Sequence, residues 1–167
     1  EMGLLESSDW QAQWISVNLP EDKTIMQPCP MLRTEFLLEH NIKSARIYAS
    51  SLGTYELHLN GERVGDAYFT PGWTSYHNRL QYQTYNVTNL LQSGPQALGA
   101  ILADGWYRGY TPNTDQVARN YYGDTLTLLV QLEVTYEDGR VQVIRGDQNW
   151  KAATGPILHA DHYMGEG

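Results

Sequence analysis

The stretch Tyr55 to Gly65, "YELHLNGERVG", decides the fold class. Apolar and polar residues alternate along Tyr55-Glu56-Leu57-His58-Leu59, which is the period of a strand with one buried face. Asn60-Gly61 then supplies two residues that tolerate positive φ, the requirement of a type I′ turn between paired strands. Working outward, "RTEFLLE" (Arg33 to Glu39) and "SARIYASS" (Ser44 to Ser51) alternate or run apolar over strand length. "RLQYQTYNVT" (Arg79 to Thr88) and "QALGAILA" (Gln96 to Ala103) do the same downstream. A second hairpin spans Asp124 to Arg145, with its turn at Glu137-Asp138-Gly139-Arg140. The one expected helical turn is "VTNLLQSG", with Thr88 as its cap and Gly94 as its stop. Short strands joined by Gly- and Asn-bearing turns predict an all-β sandwich or barrel.

With 167 residues the chain fits one domain, and it can bury an ordinary core. A formal charge of −8, with 11 Lys and Arg scattered along the chain, argues against a nucleic-acid partner. No apolar run approaches the ~20 residues of a membrane-spanning helix, so no membrane partner is expected. The N-terminal "EMGLLESSDW" lacks the pattern of a signal peptide. The single cysteine, Cys29, excludes an internal disulfide and leaves the compartment, exported or cytoplasmic, undetermined. The aromatic balance is uneven, with 12 Tyr and 5 Trp against 2 Phe. Tyr and Trp join an apolar body to a polar handle and suit half-wet surfaces such as a sugar site, although antiparallel sheets are also rich in Tyr.

The irregular length concentrates in Gly65 to Asn78, Asp104 to Asp124 and the tail from Asp147. The second of these is long for a compact domain and dense in aromatics, which points to an ordered, functional loop. Asp104, Trp106, Tyr107, Arg108, Asp115, Arg119, Asn120, Tyr121, Tyr122 and Asp124 bring stacking faces, bidentate donors and acceptors together. That mixture suits a small polyol, with carboxylate and amide groups on paired hydroxyls and an indole over the C–H face. Packing is the alternative: Trp106 closes the core while Arg108 pairs with Asp104 or Asp124. In "TPGWTSYHNR", Trp73 is expected to tuck against the sheet after the Pro71-Gly72 turn, while His77 and Asn78 reach a ligand or a cation. Calcium takes six to eight loop oxygens, and no spaced oxygen motif stands here. His159, Asp161 and His162 fall short of a zinc set, and a surface strand is the better reading. No carboxylate pair, nucleophile elbow, phosphate loop or zinc-protease helix is distinguishable, so catalysis by this chain alone is not expected.

The ordered series "YELHLNG", "PGWTSY", "DGWYRG" and "YGD" resembles the N-terminal non-catalytic region of bacterial α-L-rhamnosidases. The resemblance runs from Trp10 to Gly167. It implies a jelly-roll β-sandwich of galactose-binding-like type over residues 1–167, with a core sandwich at about 30–146. Segments 1–29 and 147–167 are then flanking strands leading to enzyme domains absent from this chain, among them an (α/α) barrel with the catalytic acids. It further implies a carbohydrate-binding role toward rhamnose-containing glycans, with Asp104, Trp106, Arg108, Asn120, Tyr122, His77 and Asn78 as the sugar-binding residues. In some such enzymes a related module binds L-rhamnose with the help of calcium. Two departures bear on this: "TPNTDQVAR" (Thr111 to Arg119) replaces a Gly-rich segment, and His77 stands where a calcium ligand would be an acid. The alternative within the same family is a structural accessory domain that packs on other domains of the hydrolase and binds no sugar.

Overall fold

The computed structural model describes residues 3–4, 6–113 and 116–167. In chain order the strands are β1 (Ile15–Ser16), β2 (Pro30–Leu38), β3 (Ile42–Leu52), β4 (Thr54–Leu59), β5 (Glu62–Arg63), β6 (Gln83–Asn86) and β7 (Gly94–Ala103). After β7 comes a one-turn helix, α1 (Gly105–Arg108). Then follow β8 (Thr111–Asn113), β9 (Gln116–Ala118), β10 (Thr127–Tyr136), β11 (Val141–Arg145), β12 (Lys151–Thr154), β13 (Ala160–Asp161) and β14 (Gly165–Glu166). Two five-stranded antiparallel sheets form a sandwich. One has the order β1-β10-β3-β6, with β11 also on β10; the other has the order β12-β2-β7-β4-β5. The all-β sandwich expected from the period-two pattern is therefore what the chain builds.

Both turns follow their sequences, by different routes. Asn60 (φ 54°) and Gly61 (φ 88°) close β4 onto β5 as a two-residue loop, with Leu59 opposite Glu62. Around Asp138 only Gly139 has positive φ, and its N–H bonds to Tyr136 O while Tyr136 N–H bonds to Arg140 O. This is a three-residue loop with the glycine in the bulge position. The expected helix at Thr88 shrinks to a 3-10 turn, Thr88–Leu90. Thr88 does not cap it: its hydroxyl donates to Asn86 Oδ1 and accepts from Ala45 N–H. Gly94 opens β7 instead of ending a helix.

Inward-facing residues of the two sheets meet in one apolar cluster. Leu57, Leu59, Leu98 and Leu102 pack with Ile47, Leu128, Val130, Leu132 and Val134, each at most 1% exposed. Burying one such side chain stabilises the fold by about 1.5–3 kcal/mol. Both flanks take part in the sandwich, since β1 pairs with β10 and β12 pairs with β2.

The outer face of the β10/β3 sheet is partly roofed by the N-terminal segment. Buried Gln131 accepts from the amides of Gln11 and Ala12 and donates to Asp9 O. Trp10 packs edge-on against Tyr48 and Tyr82 from the same side.

Candidate functional site

The loop after β7 is held by a buried ion-pair network. Its polypeptide enters at Asp104, whose N–H bonds to Ala160 O, and turns through α1 with Gly105 at φ 52°. Arg108 Nε donates to Asp104 Oδ1 at 2.6 Å, and Arg119 Nη2 donates to the second oxygen, Oδ2, at 2.9 Å. Arg108 Nη1 reaches Glu21 Oε2 at 2.8 Å. Asp104 is 4% exposed and Arg108 is 2% exposed, so these charges persist only because they neutralise one another. Gly109 belongs to the same device. A Cβ there would lie 2.4 Å from Asp161 Oδ2, which accepts the Tyr110 N–H.

Two of the residues expected from the sequence to bind sugar lie in this network. Asp104 and Arg108 face each other inside the loop and pair with one another, as in the packing alternative. The physical reason is the one-turn helix, which sets them four residues apart on one side. Asn120 adopts φ 62°, and its Nδ2 donates to Lys23 O at 2.8 Å, while its buried Oδ1 accepts no hydrogen bond among the described residues. Asn78 Nδ2 donates to Ser75 Oγ within its own turn. Asp115 lies outside the described residues.

Aromatic residues from distant segments meet beside this network. Trp73 and Trp106 stack with ring centroids 6.1 Å apart and planes within 2° of parallel. Trp106 is half-buried, with Phe69 against it at 5.8 Å and His162 at 5.2 Å. Trp73 differs from expectation, for it does not tuck against the sheet but remains 58% exposed. Its indole N–H is anchored on Tyr122 Oη at 3.1 Å. Tyr122 continues the surface, touching Tyr76 at 4.9 Å, His77 at 6.1 Å and exposed Tyr121 at 4.8 Å. Underneath, Tyr76 and Tyr107 form an edge contact at 5.2 Å. Burial and the neighbouring Tyr122 push the Tyr76 hydroxyl up to about 12, so it stays neutral and bonds to Gly72 O. Burial, then the charge of Asp124, also raises the Tyr107 hydroxyl.

Next to Phe69 lies a shallow recess of about 260 Å³, lined by Thr54, Gly105, Asp161, His162 and Glu166. Sequence reasoning missed Phe69 and His162, which stand far from Trp106 along the chain. The only signal for His162 was its place in "LHADHY".

Three carboxylates around the loop already have partners. Asp104 is held by two arginines, Asp124 by Lys23 at 3.0 Å, and Asp161 by the amides of Tyr110, Tyr163 and Met164. Among the described residues no three His, Cys, Asp or Glu side chains cluster to hold a metal. Cys29 is also uninvolved, since burial pushes its thiol up to about 12 and leaves it inert at neutral pH.

Residues 40–167 match the family model of the α-L-rhamnosidase N-terminal domain. An α-L-rhamnosidase of Streptomyces avermitilis is 48% identical over 136 residues, which cover 81% of this chain and 13% of that enzyme. Among solved structures, native α-L-rhamnosidase from Aspergillus terreus superposes with a TM-score of 0.95 at 43% identity, over 99% of this chain and 19% of that one. The Streptomyces avermitilis enzyme, solved in complex with L-rhamnose, superposes with a TM-score of 0.81 at 45% identity, over 85% of this chain and 14% of that one. The chain thus spans between 13% and 20% of the length of the curated relatives it matches.

Proposed function

The chain belongs to the α-L-rhamnosidase N-terminal domain family, and from that premise we propose that it is a carbohydrate-recognition domain whose sugar platform is Trp73. The observation that carries this reading is the exposed indole of Trp73, stacked on Trp106 and tied to Tyr122. A pre-positioned aromatic face loses little conformational entropy on binding, which is what a weak monosaccharide contact requires. The C–H face and methyl group of a terminal deoxyhexose such as L-rhamnose would lie on Trp73. Tyr121, Tyr122 and His77 would supply adjacent polar edges, and Trp106 would support the platform from behind. Asp104, Arg108 and Asn120 serve as the frame that holds this end of the sandwich.

Hydrolysis is assigned to parts of a rhamnosidase outside this segment, which would be held near rhamnosylated glycans. The relative solved with L-rhamnose supports the choice of first ligand. Tryptophan fluorescence during an L-rhamnose titration tests it. Saturable quenching that disappears in Trp73→Ala is expected. An unchanged spectrum at millimolar sugar contradicts the reading.

A further inference from the structure

The outer face of the β2/β7/β4 sheet exposes an apolar strip along its middle strand, flanked by Arg33 and Glu35 on β2 and by Glu56 and His58 on β4. In an antiparallel sandwich with one face in water, outward positions should be polar. The outward positions of β7 are Pro95, Ala97, Gly99, Ile101 and Ala103, and none is polar. Alongside on β2, Met31 and Leu37 are exposed, Leu37 by 68%. Small residues in the middle strand leave a groove of about 1010 Å³ whose floor is Ala97, Gly99 and Ile101. The charges at its sides are largely paired already, Arg33 with Glu35 and Arg63 with Glu56, whose carboxylate also lies within hydrogen-bond distance of His58.

The middle strand of the opposite sheet differs: the outward positions of β10 are Thr127, Leu129, Gln131, Glu133 and Thr135, and Asp9 to Ala12 lie over Gln131 and bond to its amide. On the β7 face no segment of the described residues plays that part. The groove floor is aliphatic, and the two aromatic rings in its lining stand at the sides, Phe36 half-buried and His58 tied to Glu56, so the floor itself offers no stacking surface for a sugar. Apart from Gln96 near its start, which bonds to Asn60, β7 is apolar on both faces, the pattern of a strand buried on both faces.

We infer that the β2/β7/β4 face is the docking surface for another domain of the same rhamnosidase polypeptide, which places an aliphatic ridge along the Ala97-Gly99-Ile101 floor. The relatives support this occupant, since the matching segment accounts for 13–20% of their length and most of each polypeptide lies outside it. The inference rests on family membership and not on sugar binding at Trp73.

Alkylation of an introduced thiol tests it. Ala97→Cys is made in this 167-residue chain and in a full-length rhamnosidase polypeptide carrying the same segment. Buried Cys29 serves as the slow internal control for folding. Reaction at position 97 is expected to be fast in the short chain and at least about tenfold slower in the long one. Adding Ile101→Glu to the long polypeptide should restore the fast rate. Leu37→Cys, on an exposed β2 position, gives a second reading if Ala97→Cys disturbs folding. Equal rates in both polypeptides overturn the inference. Protection already present in the short chain, with a dimer in sedimentation, overturns it in favour of a second copy. Protection of the short chain by rhamnose oligosaccharide overturns it in favour of a glycan cleft. A sugar titration of the same samples fails or succeeds independently, because Ala97 and Trp73 lie on different surfaces.

Discussion

The aromatic end and the β2/β7/β4 face both leave apolar surface uncovered, yet they are built of different material. The end carries Trp73, Tyr121, Tyr122 and His77, each an apolar body with a polar edge, and it is braced by largely buried ion pairs. The face carries Ala97, Gly99, Ile101, Met31 and Leu37, with no polar edge along its middle strand. A ring with a polar edge can satisfy a ligand that is half hydroxyl and half C–H. A smooth aliphatic floor satisfies another aliphatic surface. Exposure alone would have classed the two together; the chemistry of the exposed groups separates them.

The comparison breaks first at the frame. Asp104→Ala leaves Arg108 and Arg119 buried without their shared carboxylate, and should cost about 3–5 kcal/mol in chemical denaturation. A loss under about 1 kcal/mol would mean that the network does not hold the end together. Next in size is Trp73→Ala, which should weaken sugar binding about tenfold or more, or ~1.4 kcal/mol, while the unfolding midpoint stays close to the parent's. A midpoint that falls sharply would move Trp73 from platform to core.

A smaller effect is expected at the edge of the frame. The Thr125 hydroxyl and then the Lys23 ammonium hold the Asp124 carboxyl below its ordinary value. Its contribution is present above the unfolded value of about 4 and is lost as pH falls through the lower folded value. Lys23→Met should therefore flatten the acid limb of the stability profile slightly, and an unchanged limb would show that the pair contributes nothing. Smallest of all is Leu37→Ser, which should leave stability of this chain within about 0.5 kcal/mol and sugar binding untouched, because Leu37 packs against little here.

How legible these regions were in the sequence follows from range. Asn60-Gly61 announced its hairpin because a type I′ turn is decided by two adjacent residues. The i,i+4 pairing of Asp104 with Arg108 was within reach too, as the packing alternative for that loop. The one-turn helix that creates the pairing was not, since Gly105 sits at φ 52° and no side chain caps the turn. What holds α1 is tertiary: Ala160 accepts from Asp104, and Asp161 from Tyr110. The same distance hid the aromatic end. Pro71-Gly72 suggested that Trp73 turns inward, but the inward place beside it is taken by Trp106, itself packed by Phe69 and His162. No local pattern could reveal that order. Strand β7 was readable as a strand, and which of its faces points away from the core followed only from the pairing that seats it between β2 and β4.

The central claim is that Trp73 is a sugar platform held in place by a buried frame. Calorimetric titration of L-rhamnose into the chain and into Trp73→Ala, each with and without a calcium chelator, tests it most directly. The account predicts weak saturable heat at millimolar sugar for the parent, indifferent to chelator, and none for the variant while its fold is intact. No heat from the parent, or equal heat from a folded Trp73→Ala, would contradict it.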